Sequence, residues 1–438
     1  MLWTLIKKEF VGHVLSLRFI ATFALLFALL FISAVFMVVD YSAALDAYHF
    51  ERSAQREKAE ELIESGRDGR LFFVGLADQR PPRPLRIFAT GLEREVPIRV
   101  NVAGMIQRTV NDDIYLNPVR ALFATPDYAY IVGVVGSLLG LLFVFDAICG
   151  EKERGTLKQV LANSVPRDKV LLGKCLGGYM ALALPFLVAS LAGAACVHLS
   201  GTIVLEGERL WRLVWIVVGA LVYLLLFFNL GMLISAATHR NATALIASLL
   251  VWICWVFIVP HAAPVLARAL VPVPSLQKLE AEKKAIYRET GLQAHRVEDP
   301  VLSQKIREEG EHRQRKLERY YQDRLQYQIE LSKILARLSP TASFVLITSE
   351  LAGTGTGFFT RFNQAYERFR AETVDFLPNG YDPNAKKVKI EELPRLELVS
   401  APLEESLATI SVDLLLLGLF NVLFFLLTYM LFLRYDAT

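Results

Sequence analysis

Apolar positions along this chain gather in six long runs, at about Phe19–Val39, Tyr128–Ile148, Leu176–His198, Trp211–Ala236, Ala244–Leu266 and Leu407–Leu433. Each reaches the roughly 20 mainly apolar residues that carry a helix across a hydrocarbon core, so the pattern predicts six transmembrane helices. Two connecting segments are long and polar, 40–127 and 267–406, and the rest are short. Lys7, Lys8 and Arg18 precede the first run. That run is too long for the core of a signal peptide, about 7–15 residues, and is read as an uncleaved span.

Orientation follows from Lys and Arg in the short connections. With the N-terminus inside, segments 1–18, 149–175, 237–243 and 434–438 hold Lys7, Lys8, Arg18, Lys152, Arg154, Lys158, Arg167, Lys169, Lys174, Arg240 and Arg434. The short outer loop, 199–210, sets Arg209 against Glu206 and Glu208. Both termini are therefore expected in the cytoplasm and both long polar segments outside.

Within 40–127, the Ala-, Glu- and Arg-rich stretch Ser42–Ser65 reads as a helix. The runs LFFVGLA (71–77), LRIFATGL (85–92) and VPIRVNV (96–102) read as strands of a small α+β unit. In 267–406, a charged helical stretch follows Pro272 and Pro274 and is interrupted near Pro300. From Leu317 apolar residues recur in heptads, with Leu317, Leu331 and Leu338 in one position and Tyr320, Tyr327 and Ile334 in the other. A helical hairpin or short coiled coil satisfies that spacing, and so does an amphipathic helix packing on its own domain. The fold class expected is an all-α polytopic membrane protein with six transmembrane helices. An N-terminal amphipathic interface helix (1–18) and α+β or helical extracytoplasmic domains complete it.

Composition narrows the function. Of 438 residues, 54% are hydrophobic and 21% charged, and mean hydropathy is +0.38. Soluble chains average about 45–50% and about 25%, a modest difference, but the pooling of apolar residues in long runs excludes disorder, a collagen-like chain and a small disulfide scaffold. A net charge of +3 with no basic stripe interleaved with aromatics excludes a nucleic-acid partner. Cys149, Cys175, Cys196 and Cys254 lie in or beside the apolar runs. There is no H-E-x-x-H and no cysteine pair with zinc-site spacing, so neither a catalytic residue nor a metal site is expected. The pair Gly173-Lys174 is followed by Cys175, and Asp168 stands where a phosphate-cradling loop needs its first glycine. Gly353-Thr-Gly-Thr-Gly357 imitates such a loop loosely and reads as a helix-breaking turn.

Inside the spans, Asn229 and Asn421 are either pathway groups or partners in a bond between helices. Pro185 and Pro260 are expected to bend their helices. Asp413, near the outer end of the last span, reads as solvated. Connection 149–175 is charged yet carries Leu157, Val160, Leu161, Val170 and Leu171. It reads as a short amphipathic helix at the membrane surface, with Thr156 as its cap and Pro166-Arg167 as its break. A soluble partner can grip such an element.

The run GEKERGTLKQVLANSVPRDKVLLGK (150–174) resembles the first cytoplasmic loop of ABC-2 type ABC transporter permeases. The matching positions are Glu151, Glu153, Arg154, Gly155, Thr156, Leu157, Leu161, Pro166, Arg167, Gly173 and Lys174. MLWTLIKKEF is similar to that family's amphipathic interface helix, with Lys7, Lys8 and Glu9 on the polar face. RPPRPLRIFATG (80–91) and LSPTASFVLITSELAGTGTG (338–357) resemble a subgroup with two large periplasmic segments. The resemblance implies a permease subunit, an exporter, in the bacterial inner membrane, coupled through those loop residues to two copies of a separate ABC ATPase. ATP and Mg would be held by that ATPase, with no cofactor in this chain. A second permease copy or a homologous permease, the lipid bilayer and a candidate periplasmic partner complete the implied surroundings. The alternative is a non-transporting membrane scaffold that passes signal or force to a helical periplasmic domain.

Overall fold

The computed structural model describes residues 2–65, 74–102, 107–109, 127–162, 166–376 and 393–434. Helix α1 (Leu2–Val14) is followed by a turn held by Ser16, whose hydroxyl donates to His13 O at 2.6 Å and accepts from Phe19 N at 3.3 Å. Helix α2 (Leu17–Glu64) then runs for 48 residues without a break. It contains no glycine or proline, the two residues that most weaken a helix interior, so the first apolar run and the polar 42–65 stretch form one rod.

Strands β1 (Leu76–Gln79), β2 (Arg99–Val102) and β3 (Gln107–Thr109) form an antiparallel sheet in that order, with Ala77 opposite Asn101 and Asn101 opposite Arg108. Residues 71–73 of the first expected strand lie outside the described residues. The strand expected at 85–92 is instead a 3-10 turn, Pro84–Ile87, and irregular chain. Pro81, Pro82 and Pro84 remove ladder donors there, and Leu85, Ile87, Phe88 and Ala89 are all buried rather than alternating.

Helix α3 begins as Tyr128–Ile131, passes through a π-helical turn, Val132–Gly136, and continues as Ser137–Val144. Short helices α4 (Cys149–Glu153) and α5 (Thr156–Ala162) lead to α6 (Arg167–Leu199) and α7 (Gly207–Ala237). Pro185 sits inside α6 without ending it. Helix α8 (Asn241–Leu270) contains a second π-helical turn, Cys254–Ile258, just before Pro260. Pro260 has no N–H to offer, and the Trp255 carbonyl in that turn accepts the Ser339 hydroxyl.

Helices α9 (Leu276–His295) and α10 (Pro300–Ala336) start on the caps Ser275 and Asp299. The packed face of α10 is Tyr321, Leu325, Gln328, Ile329, Ser332 and Ala336, about one residue around from the heptad positions. Tyr320, Tyr327, Ile334 and Leu338 are more than half exposed. Next to Leu338, Arg337 reaches Asp413, ten residues into α13. Asp413 is 2% exposed and ion-paired, not solvated.

Helix α11 (Pro340–Ala352) is buried at every one of its 13 residues. Near its start, the Tyr223 hydroxyl donates to Gly133 O at 2.7 Å and lies 2.9 Å from Thr341 Oγ1, while its ring stacks on Phe344. Near its end, Arg212 donates to Leu351 O at 3.0 Å. Tyr223 and Arg212 are about 16 Å apart along α7, so α11 climbs through the bundle antiparallel to it. A helix of 13 residues is too short to span a hydrocarbon core. Helices α12 (Thr356–Phe376) and α13 (Leu403–Leu433) complete the chain.

Motifs 80–91 and 353–357 dock on one another. Leu92 N donates to Thr354 O at 2.8 Å and Thr354 Oγ1 to Ala89 O at 2.7 Å. Gly91 has φ +50°, and a Cβ there would fall 2.5 Å from Thr354 O. The glycine-rich turn encloses the chain's own Glu350 carboxylate, which accepts from Gly357 N at 2.8 Å and Thr356 Oγ1 at 3.0 Å. Both long polar segments also share one apolar core, in which Leu76 and Val100 join Tyr321, Leu325, Phe358 and Phe362.

Among the described residues six helices are long and apolar enough to cross a membrane. They expose side chains such as Ile32, Phe36, Ile246, Leu250, Leu415 and Leu419 in a belt that only a bilayer or another apolar surface covers.

Candidate functional site

At the bundle end that carries both chain termini, the corner between α3 and α4 is fixed by one hydroxyl. Ser235 Oγ accepts from Ile148 N at 2.9 Å and Cys149 N at 3.0 Å. Helices α4 and α5 meet at Gly155, whose φ of +74° is a left-handed turn that a side chain would strain. Leu157 anchors α5: it is wholly buried with Ile148, Val170, Leu171 and Phe432. Thr156 does not cap α5 as expected, its hydroxyl donating back to Glu151 O at 3.4 Å. Pro166 leads into α6 in extended geometry. The side chain of Leu161 lies outside the described residues.

Lys174 sits between two carboxylates, 2.6 Å from Glu151 Oε1 and 3.5 Å from Glu9 Oε1, and is 7% exposed. Its charge is thus spent inside the fold, joining α1, α4 and α6. Glu9 turns inward to this pair, while Lys7 and Lys8 are exposed. A buried ion cluster adds little stability, but it fixes geometry because its members cannot be left unpaired. Glycines make the crossing possible. A Cβ on Gly173 would lie 2.9 Å from Leu5 Cβ, and one on Gly177 would lie 2.7 Å from Ile6 O. Small residues at i and i+4 let helix backbones touch in this way. Burial holds the His13 imidazole below its ordinary pKa, and its ring stacks on Phe143.

At this end of the bundle α4 bonds directly to α6, α7 and α8, and two further bonds tie in α2 and α13. Lys152 donates to the last carbonyls of α7, at Ala236 and Thr238. Burial lowers the Lys152 pKa. Glu153 Oε2 accepts from Asn241 N at the start of α8 at 2.9 Å. Arg167 donates to Leu433 O at the end of α13 at 2.9 Å. Arg18, at the start of α2, makes a two-pronged bond to Asp146 at 2.8 and 2.9 Å, in the turn after α3. That bond raises the Arg18 pKa. Lys174 supplies the link to α6. Exposed on α4 and α5 among the described residues are Glu153, Arg154, Gly155, Lys158 and Gln159, with Arg154 Nε bonded to Gly150 O at 3.0 Å.

Asn229 and Asn421 are brought together far from this site. Asn229 Nδ2 donates to Asn421 Oδ1 at 3.0 Å, and Asn421 Nδ2 to Val222 O and Leu417 O at 3.1 and 2.9 Å. Sequence reasoning did not single out Lys152, Arg18, Asp146 or Gly177 as site residues. Only the i, i+4 spacing of Gly173 and Gly177 carried a signal.

The sequence model of the family described as "ABC-2 family transporter protein" matches residues 3–437. A curated relative, "Probable ABC transporter permease protein NosY" of Stutzerimonas stutzeri, is 30% identical over 125 residues, 28% of this chain. The chain spans 44% of that relative's length. A match of the family over nearly the whole chain, on a six-span helical bundle with the loop 150–174 at its terminal face, leaves one conclusion: this chain belongs to the ABC-2 transporter family.

Proposed function

We propose that this chain is the permease subunit of an ATP-driven exporter, and that a separate ABC ATPase docks on α4, α5 and the exposed face of α1. The observation that carries the reading is that α4 bonds directly to α6, α7 and α8, while Arg18–Asp146 ties α2 to the turn before α4 and Arg167–Leu433 ties α13 to α6, so a push on α4 cannot move one helix alone. In this reading the terminal face is cytoplasmic and the two long polar segments lie outside the inner membrane. Two permease copies, identical or homologous, work with two ATPases, which hold ATP and Mg. Closure of the ATPases drives Glu153 and Arg154 toward the bilayer, Gly155 hinges, and the caps on α7, α8 and α13 tilt those spans. The shared polar domain caps the outer mouth and offers a surface to a periplasmic partner.

The test is co-purification and ATPase assay in nanodiscs with the chain bearing Arg154→Glu. Charge reversal at such a rim acts on docking. Co-purified ATPase is expected to fall about tenfold, which corresponds to about 1.4 kcal/mol, while membrane insertion is unchanged. Full co-purification with full substrate-stimulated turnover would overturn the assignment. A stable ATPase-free complex with normal insertion would favour the scaffold reading.

A further inference from the structure

Where segment 80–91 meets α2, the start of α7 and α12, the molecule holds a cavity of about 510 Å³. Arg83, Arg209, Arg212 and Arg361 line it against Glu206 and Glu208, a formal surplus of two positive charges. Glu405, which pairs with Arg361 at 3.0 Å from beyond the lining, reduces the surplus to one.

The arginines are not equivalent. Arg212 is fully engaged, donating to Glu208, Leu351 O, Ser406 Oγ and Ala401 O. Arg83 makes one side-chain hydrogen bond among the described residues, from Nη1 to Ser400 Oγ at 2.6 Å. Its Nε is buried with no acceptor, and no carboxylate oxygen of the described residues lies within 4.0 Å of its guanidinium. Arg361 Nε is likewise buried without an acceptor. Neither Nε reaches the cavity surface, but Nη2 of each guanidinium also has no hydrogen-bond acceptor among the described residues, and both side chains line the one cavity. Burial pulls the Arg83 guanidinium down to about 10, Glu93 opposes this, and Arg80, Arg361 and Arg212 add to it. A charge in that position is expensive to bury unless something pairs with it.

Depth narrows the class of ligand. Tyr41 lines the cavity just after the apolar run of α2 ends, and Arg209 and Arg212 flank the start of the apolar run of α7. Trp211 is 60% exposed between them, the position of an aromatic belt at the headgroup layer. The guanidinium fork matches a phosphate group better than a point charge does.

We propose that this cavity binds a phosphate group, held by the guanidinium groups of Arg83 and Arg361 through Nη2 donors that have no acceptor among the described residues. The group comes from an anionic phospholipid headgroup or from free phosphate in solution. The site stands independently of ATPase docking, which lies at the opposite end of the bundle.

The experiment uses the full chain in detergent, with Arg212 left intact. Inorganic phosphate is one probe, read by the thermal unfolding midpoint. Phosphatidylglycerol against phosphatidylcholine is the other, read by native mass spectrometry. If the headgroup is the source, the wild-type chain retains phosphatidylglycerol about tenfold better than phosphatidylcholine, and Arg83→Gln with Arg361→Gln removes the difference. If free phosphate is the source, it raises the wild-type midpoint, the double variant does not respond, and the two lipids are retained alike. Arg83→Lys, which keeps the charge and loses the fork, gives a reduced response and guards against a misfolded double variant. A wild-type chain that responds to neither probe, or a double variant that responds as the wild type does, overturns the proposal.

Discussion

Arg337 and Asp413 meet in a two-pronged ion pair, Nε and Nη2 each 2.9 Å from a different carboxylate oxygen. The pair pins the turn between α10 and α11 to α13. Asp413→Ala would leave the guanidinium without a counterion, at a cost of about 3 kcal/mol. The expected result is a lower unfolding midpoint and less monodisperse protein on size exclusion. Arg337→Met combined with Asp413→Leu should recover most of the loss, and failure of that rescue would place the defect elsewhere.

Gly177→Val should expel α1 from its groove. The new Cβ would meet a backbone carbonyl, Ile6 O, at 2.7 Å, which a side-chain rotation cannot relieve. Overpacking of this kind costs about 1–3 kcal/mol, enough to loosen a 13-residue helix from its seat. Trypsin cleavage after Lys7 and Lys8 should accelerate several-fold, with the six spans intact by circular dichroism. An unchanged cleavage rate would show that α1 is not seated through the glycines.

Asp127, the cap of α3, has its carboxyl pushed up to about 6 by burial, against the hydrogen bonds from Thr90 N and Tyr130 N. The folded state then binds a proton that the unfolded state has released above about pH 4. Stability from this group is therefore greatest in acid and falls by about 3 kcal/mol as pH rises from 4 to 6, levelling above that. Asp127→Asn should flatten this part of the profile in chemical unfolding at pH 4 to 7. A wild-type curve that rises over the window, with Asn giving the same slope, would contradict the burial.

Orientation is tested by impermeant maleimide on intact cells, in a chain whose four native cysteines are replaced. Ser65→Cys and Gln304→Cys should label without permeabilisation and Arg434→Cys only after it. Native Cys149 and Cys175 cannot report on the question, since both are buried. Labelling of Arg434→Cys in intact cells would invert the assignment.

The spans were legible because about 20 apolar residues in a row have few other uses. The loop 150–174 was legible because its charged residues recur at recognisable spacing. Helix α11 was not. Pro340–Ala352 is 13 residues long and rich in Ser and Thr, so neither length nor hydropathy marks it, although all of it is buried. The α10 stripe was misjudged because the packed side includes Gln328 and Ser332, whose hydrogen bonds to Val271 O and Gln328 O stand in for apolar contact. Segment 85–92 was apolar for a different reason: three prolines hold it as irregular chain against the bundle. The unpaired donors of Arg83 and Arg361 come from residues 278 positions apart and exist only once the chain has folded.

Helix α2 is about 72 Å from end to end, with Arg18 tied at one tip and the sheet-bearing domain packed against the other. Such a rod works as a lever arm. A tilt of about 5° around its Arg18 end would carry Glu64 sideways by about 6 Å, more than about ten times the shift at the first turn. Angular motion too small to disturb the tied end is thereby delivered as a sizeable stroke at the far one, with no hinge along the shaft to absorb it.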